Sequence, residues 1–115
     1  MRLFGYIPNS DPGFFESVYE AALTHELRKA GLEVETQVPI PVVYDGIKLA
    51  LGFRLDVLVE NKVVLELKSC EQLIPIHSKQ LLNCLRLADL RLGLMFNFNV
   101  ESLKGNIIRL ANNLR

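Results

Sequence analysis

The sequence predicts a mixed α/β domain, and three features carry that prediction. Apolar residues recur at helical spacing early in the chain, in Val18, Ala22, Leu23 and Leu27. The middle of the chain holds runs rich in Val, Ile and Leu, bounded by turn residues, which read as strands. A second helical segment and another apolar run follow, so the order is helix, three strands, helix, strand. A chain of 115 residues, half of them hydrophobic, fits one domain over residues 1–115 with a core that needs no disulfide or structural metal. A domain this small buries only about two thirds of its unfolded surface, so pairing with a second copy is expected.

Each element has a local reason. Residues 1–10 read as irregular, with Gly5, Pro8 and Asn9. Asp11-Pro12 then reads as a helix start, because Asp caps and Pro is tolerated at the first helical position. The helix is expected over Gly13 to Ala30, ending at Gly31, a residue suited to the left-handed conformation. Glu33 to Tyr44 favours strand, with Pro39 and Pro41 confining part of it to a sheet edge. Asp45-Gly46 is a hairpin turn signal. Leu49 to Val59 and Val63 to Lys68 read as strands around Glu60-Asn61-Lys62. Pro75 opens a helix over Ile76 to Ala88, and Arg91 to Asn97 is an apolar strand with Gly93 inside it. Asn106 to Leu114 suits either a strand or a helix.

Composition excludes several classes. Thirteen basic residues balance thirteen acidic ones, with no basic tail, which argues against tight charge-driven binding to nucleic acid. Local charge distribution still decides whether DNA binds. Cys70 and Cys84 have neither zinc-ligand spacing nor a disulfide framework, and read as inert thiols. No apolar run approaches the ~20 residues that span a membrane, and residues 1–11 lack a signal-peptide core. The expectation is a soluble, cytoplasmic protein. His25 and His77 have no metal-ligand spacing and read as surface or capping residues.

The most informative stretch is Arg54-Leu55-Asp56-Val57-Leu58-Val59 followed by Val63-Val64-Leu65-Glu66-Leu67-Lys68. With Glu60 to Lys62 as the loop, Val59 pairs with Val63, Val57 with Leu65 and Leu55 with Leu67, all on one apolar face. The other face then carries Asp56 opposite Glu66 and Arg54 opposite Lys68. A shift of one residue would leave Asp56 and Glu66 diagonal. Opposed carboxylates repel by a few tenths of a kcal/mol or more. Mg²⁺ relieves such a pair, since it favours one or two carboxylates plus water and phosphate oxygens. Lys68, two residues beyond Glu66, points the same way and could steady phosphate charge or orient an attacking water. The competing reading is a solvated sheet face on which a lysine offsets two acids.

Asp followed by a strand turn and Glu-x-Lys between two helices is similar to the PD-(D/E)XK nuclease core shared by restriction endonucleases, Holliday-junction resolvases and recombination exonucleases. Gly13-Phe14-Phe15-Glu16-Ser17-Val18-Tyr19 resembles the signature of the bacterial GxxExxY family. So do Gln37-Val38-Pro39-Ile40-Pro41-Val42, Gly52-Phe53-Arg54-Leu55-Asp56, Glu66-Leu67-Lys68 and Gly93-Leu94-Met95-Phe96-Asn97-Phe98. The resemblance runs from Pro12 onward. It implies a restriction-endonuclease-like fold, a mixed central sheet flanked by helices. It implies Asp56, Glu66 and the Leu67 carbonyl as metal ligands and Lys68 as the catalytic lysine. Glu16 matches an acidic residue on the first helix, with Glu20 one turn later as its substitute. Gln80 matches a helix glutamine near the site of some exonuclease-like members. Two departures stand out: residues 1–10 do not match the family's longer first helix, and Cys84 replaces the usual aromatic four residues after the glutamine.

Two functions compete. One is Mg²⁺- or Mn²⁺-dependent hydrolysis of a DNA phosphodiester. The other is a nuclease-fold module for binding or oligomerisation, with cleavage weak or lost. A homodimer is expected because Ile40, Val42, Val43 and Tyr44 crowd apolar groups onto an edge, and because the run Leu92 to Phe96 asks for cover on both faces.

Overall fold

Helix α1 (Pro12–Lys29) opens the part of the chain that the computed structural model describes, residues 12–49, 52–68, 73–98 and 107–112. It ends in a Schellman turn: Leu32 N–H donates to the Leu27 carbonyl at 3.1 Å and Gly31 N–H to the Arg28 carbonyl at 3.0 Å. Gly31 takes φ 91°, where a side chain would be strained. Six strands and a helix follow: β1 (Val34–Pro39), β2 (Val42–Tyr44), β3 (Ile47–Leu49), β4 (Arg54–Val59), β5 (Val63–Lys68), α2 (Pro75–Leu87) and β6 (Leu92–Asn97), with β7 (Ile107–Ala111) last. The expected irregular segment 1–10, the Asp11 cap and Cys70 lie outside the described residues.

The middle of the chain is more broken than the sequence predicts. Pro39 and Pro41 end β1, and the intervening Ile40 turns inward, its N–H donating to the Phe53 carbonyl at 2.8 Å. Gly52, at φ 73°, separates β3 from β4. Three expected strands therefore become five. Asp45 and Gly46 both take positive φ, as a tight hairpin turn requires. They join β2 to β3 in a two-stranded sheet of its own, separate from the main one.

The main sheet has five strands in the order β1-β4-β5-β6-β7. Only β5 and β6 run parallel, because α2 carries the chain back between them. β1, with its proline, sits at the edge as expected. The ambiguous last segment is a strand: β7 pairs antiparallel with β6, and Asn112 secures its end through bonds to the carbonyls of Arg91 and Leu90.

Apolar residues form two cores, one on each side of the sheet. Leu23 and Leu27 of α1 pack with Val57, Val59, Leu65, Leu67 and Phe98. Leu81 and Leu85 of α2 pack with Leu55, Leu58, Val64 and Met95. Both faces of β6 are thus covered within the chain, Leu94 and Phe96 by the first core and Met95 by the second. Gly93 allows α2 to approach, since a Cβ there would lie 3.2 Å from the Leu81 side chain.

Candidate active site

The β4–β5 hairpin turns through Glu60-Asn61-Lys62 as expected, with Val59 opposite Val63, Leu58 opposite Val64 and Val57 opposite Leu65. The regular pairing stops there. Beyond it each acid reaches across to the other strand's main chain. Leu67 N–H donates to Asp56 Oδ2 at 3.0 Å, and Asp56 N–H makes a long contact of 3.5 Å to Glu66 Oε1. These bonds stand where an ideal ladder would pair Asp56 with Glu66 and Leu55 with Leu67.

This corrects the expected arrangement. Leu55 leaves the face of Val57 and joins the α2-side core. Asp56 lines a cavity of about 220 Å³ beneath α1, with Glu16, Ser17, Glu20, Gln37 and Leu67. Glu66 lines a larger one of about 670 Å³ beside α2, with Gln80 and Cys84. The two side chains nonetheless touch: the Asp56 carboxyl raises Glu66 through a side-chain hydrogen bond as well as through its charge. They meet where β4 and β5 part.

A second irregularity lies at the same level on the opposite side of β4. Antiparallel pairing of β1 with β4 holds at Thr36–Val57 and at Val38–Leu55 but skips the position between, Gln37 facing Asp56. Gln37 takes φ 52°, a left-handed conformation that costs a non-glycine residue about 1–2 kcal/mol. Its side chain donates to Glu20 Oε1 at 2.9 Å, tying the irregularity to α1. Sequence reasoning placed Gln37 in a family-like segment but gave it no role, because nothing in a lone glutamine announces a left-handed backbone.

The electrostatics join the remaining residues. Burial, and then the charge of Asp56, push the Glu66 carboxyl up to about 8, while Lys68 pulls the other way. Burial raises the Glu16 carboxyl too, with Lys68 lowering it and Asp56 raising it. Glu16, Asp56, Glu66 and Lys68 thus feel one another. Glu20 shares the α1-side cavity, and Gln80 shares the α2-side cavity one helical turn before Cys84. The Cys84 thiol is raised by burial and by Glu66 and Asp56, so it lies close to the pair. His77 stands apart in role: its Nδ1 accepts from Ile74 N–H at 3.1 Å, closing the start of α2.

Among the described residues, no three His, Cys, Asp or Glu side chains form a ready metal cage. The donor chemistry nonetheless fits a hard cation. Burial first, and the charge of Asp56 second, keep a proton on Glu66 near neutral pH. Mg²⁺ relieves such a pair with few protein ligands, because it keeps several waters.

A family model for the PD-(D/E)XK nuclease superfamily matches residues 7–110. The chain belongs to the PD-(D/E)XK nuclease superfamily. Its five-stranded mixed sheet with α1 and α2 on opposite faces is a core of this kind. Among solved structures it is similar to the one titled "Crystal structure of SSO0001", with a TM-score of 0.65 at 20% identity. That likeness is one of fold; it covers 90% of this chain and 53% of the other, so this chain spans about half the other's length. A search of curated proteins finds no match. Members of the superfamily act on nucleic acid and generally use divalent metal ions. No helix among the described residues is long and apolar enough to cross a membrane.

Proposed function

We propose that this PD-(D/E)XK protein is a GxxExxY-type, metal-dependent nuclease that hydrolyses phosphodiester bonds of DNA, working in the cytoplasm as one domain. The observation that carries the reading is the carboxylate pair at the parting of β4 and β5. Asp56 is held by the Leu67 amide, Glu66 is raised to about 8, and Lys68 stands within electrostatic reach. Asp56, Glu66 and the Leu67 carbonyl would hold Mg²⁺ or Mn²⁺. Once bound, the ion supplies positive charge at the phosphate and lowers the pKa of a coordinated water.

The chain's own groups do the rest. Lys68 offsets the charge that builds on the phosphate oxygens and orients the attacking water. Glu16 and Glu20, on neighbouring turns of α1, close the α1 side of the site, and Gln80 supports the α2 side. A second reading, a nuclease-fold module for self-association, draws on the β2–β3 hairpin. Val43, Tyr44 and Ile47 there are exposed although large and apolar. A homodimer joined through this hairpin is compatible with cleavage and would put two sites on one particle.

The test is cleavage of single-stranded, duplex and branched DNA in Mg²⁺, in Mn²⁺ and in EDTA. Cutting is expected only with metal, and to fall by about 100-fold or more in Asp56→Asn, Glu66→Gln or Lys68→Met. Millimolar Mg²⁺ or Mn²⁺ should also raise the melting temperature of the wild type, by mass action, but not that of Asp56→Asn. Absence of both cleavage and the thermal shift rejects the nuclease reading and leaves the module.

A further inference from the structure

We propose that the cavity beside Glu66 seats an unpaired nucleotide of the DNA strand to be cut, so that the protein acts on single-stranded DNA in preference to intact duplex. This rests on the nuclease reading of the neighbouring carboxylates. The cavity of about 670 Å³ lies between the start of β4 and helix α2, and Glu66 forms part of its wall. Whatever fills it therefore lies next to the candidate reaction centre. Its size falls within the ~300–1,000 Å³ range of sites that enclose small organic ligands, which includes a single nucleotide.

Its lining has the chemistry of a nucleotide site. Phe53 stands at the cavity 47% exposed, a large aromatic ring left about half in water. Leu87 of α2, 44% exposed, lines the cavity too and adds apolar surface. Arg54 and Arg86 also line the cavity, and neither is paired with a carboxylate among the described residues. Asn83 adds a donor and an acceptor that suit a base edge. An aromatic face, two guanidinium groups and an amide together match a base with its flanking phosphates.

The requirement for an unpaired base follows from geometry. Inside a duplex, away from its ends, both faces of a base are covered by its neighbours and its edge by its partner. Away from duplex ends, Phe53 can stack only on a base that has left the helix or was never in one. The net charge of zero points the same way. With no excess of basic residues over the chain, phosphate contacts that hold duplex nonspecifically gain little from overall charge, and a local stacking contact adds affinity.

Tryptophan fluorescence tests this directly. The chain has no tryptophan, so Phe53→Trp installs a single reporter at the cavity. In EDTA, where no strand is cut, a short oligothymidine should quench its emission and a blunt duplex of the same length should not. By fluorescence anisotropy, Phe53→Ala should weaken oligothymidine binding by about 10- to 100-fold, with Phe53→Tyr close to wild type. Circular dichroism melts of each variant separate lost binding from lost folding. No quenching, or equal quenching by duplex, overturns the proposal. The two readings fail separately. Quenching and Phe53-dependent binding with no cleavage in Mg²⁺ or Mn²⁺ would reject the nuclease and keep the nucleotide site. Metal-dependent cleavage with the same strand preference in wild type and Phe53→Ala would reject the nucleotide site and keep the nuclease.

Discussion

Glu66 shows what the fold demands of one side chain. Its folded carboxyl titrates near 8 against an ordinary 4.5, chiefly through burial and then through Asp56. An acid raised on folding binds more protons in the native state than in the unfolded one between those two values. In metal-free protein this contribution to stability is therefore full below about pH 4.5 and is lost as pH rises through about 8. Melting temperatures in EDTA should fall across that window, and Glu66→Gln should flatten the fall. Asp56→Asn should flatten it partly, because the amide oxygen can still accept from Leu67 N–H while the repelling charge is gone. A wild-type profile that rises from pH 5 to 8 in EDTA would contradict the coupling. A divalent ion should restore stability at the alkaline end, where the pair is most charged.

At the scale of elements, close approach and isolation have different consequences. α2 lies against β6 at Gly93, where any Cβ would meet the fully buried Leu81. Gly93→Val should cost about 1–3 kcal/mol in urea unfolding, because Leu81 has nowhere to move. Leu81→Ala in the same chain should recover part of that penalty, and no coupling between the two would argue against the contact. The β2–β3 hairpin is the reverse case. A two-stranded sheet alone is marginal in water, and this one exposes Tyr44 at 73% and Val43 at 65%. If it joins two copies, light scattering at micromolar concentration should give about twice 13.0 kDa for the wild type. Val43→Glu with Ile47→Glu should return the monomer mass with the fold intact. A wild-type mass near 13.0 kDa would end the dimer.

For the molecule as a whole, α1 and α2 stand on opposite sides of a sheet that parts between β4 and β5, and the acids meet at that parting. Charge reaches the site locally, through Lys68, Arg54 and Arg86, and not through an excess of base over the whole chain. The salt dependence of DNA binding should therefore be shallow. Contacts from Arg54 and Arg86 to two phosphates of a single strand give a slope of log K against log salt of about −1.4. Arg86→Gln should reduce it by about 0.7, and a wild-type slope several times steeper would mean a basic surface elsewhere. Titrating oligothymidine affinity against NaCl measures it.

Much of this was legible in the residues themselves. The 3.6-residue spacing of Leu23 and Leu27, the Gly31 stop, the Asp45-Gly46 turn and the three-residue Glu60–Lys62 loop all act locally, and the structure has each where the sequence predicts it. Asp56, Glu66 and Lys68 stood out because a hairpin brings their positions together at short range. Contacts distant in sequence were not legible. Only the tertiary structure decided that Ile107–Ala111 is a strand, since its apolar spacing suits either form until β6 offers an open edge. Spacing alone could not bring Glu16 to Lys68, which only the family resemblance implied, nor Phe53 to Asn83 and Arg86, because those pairs depend on where whole helices land. The parting of β4 from β5 also lay beyond local reasoning. Alternation along a strand is a local rule, and it breaks at Asp56, beside the left-handed Gln37 whose side chain bonds to a helix residue seventeen positions earlier.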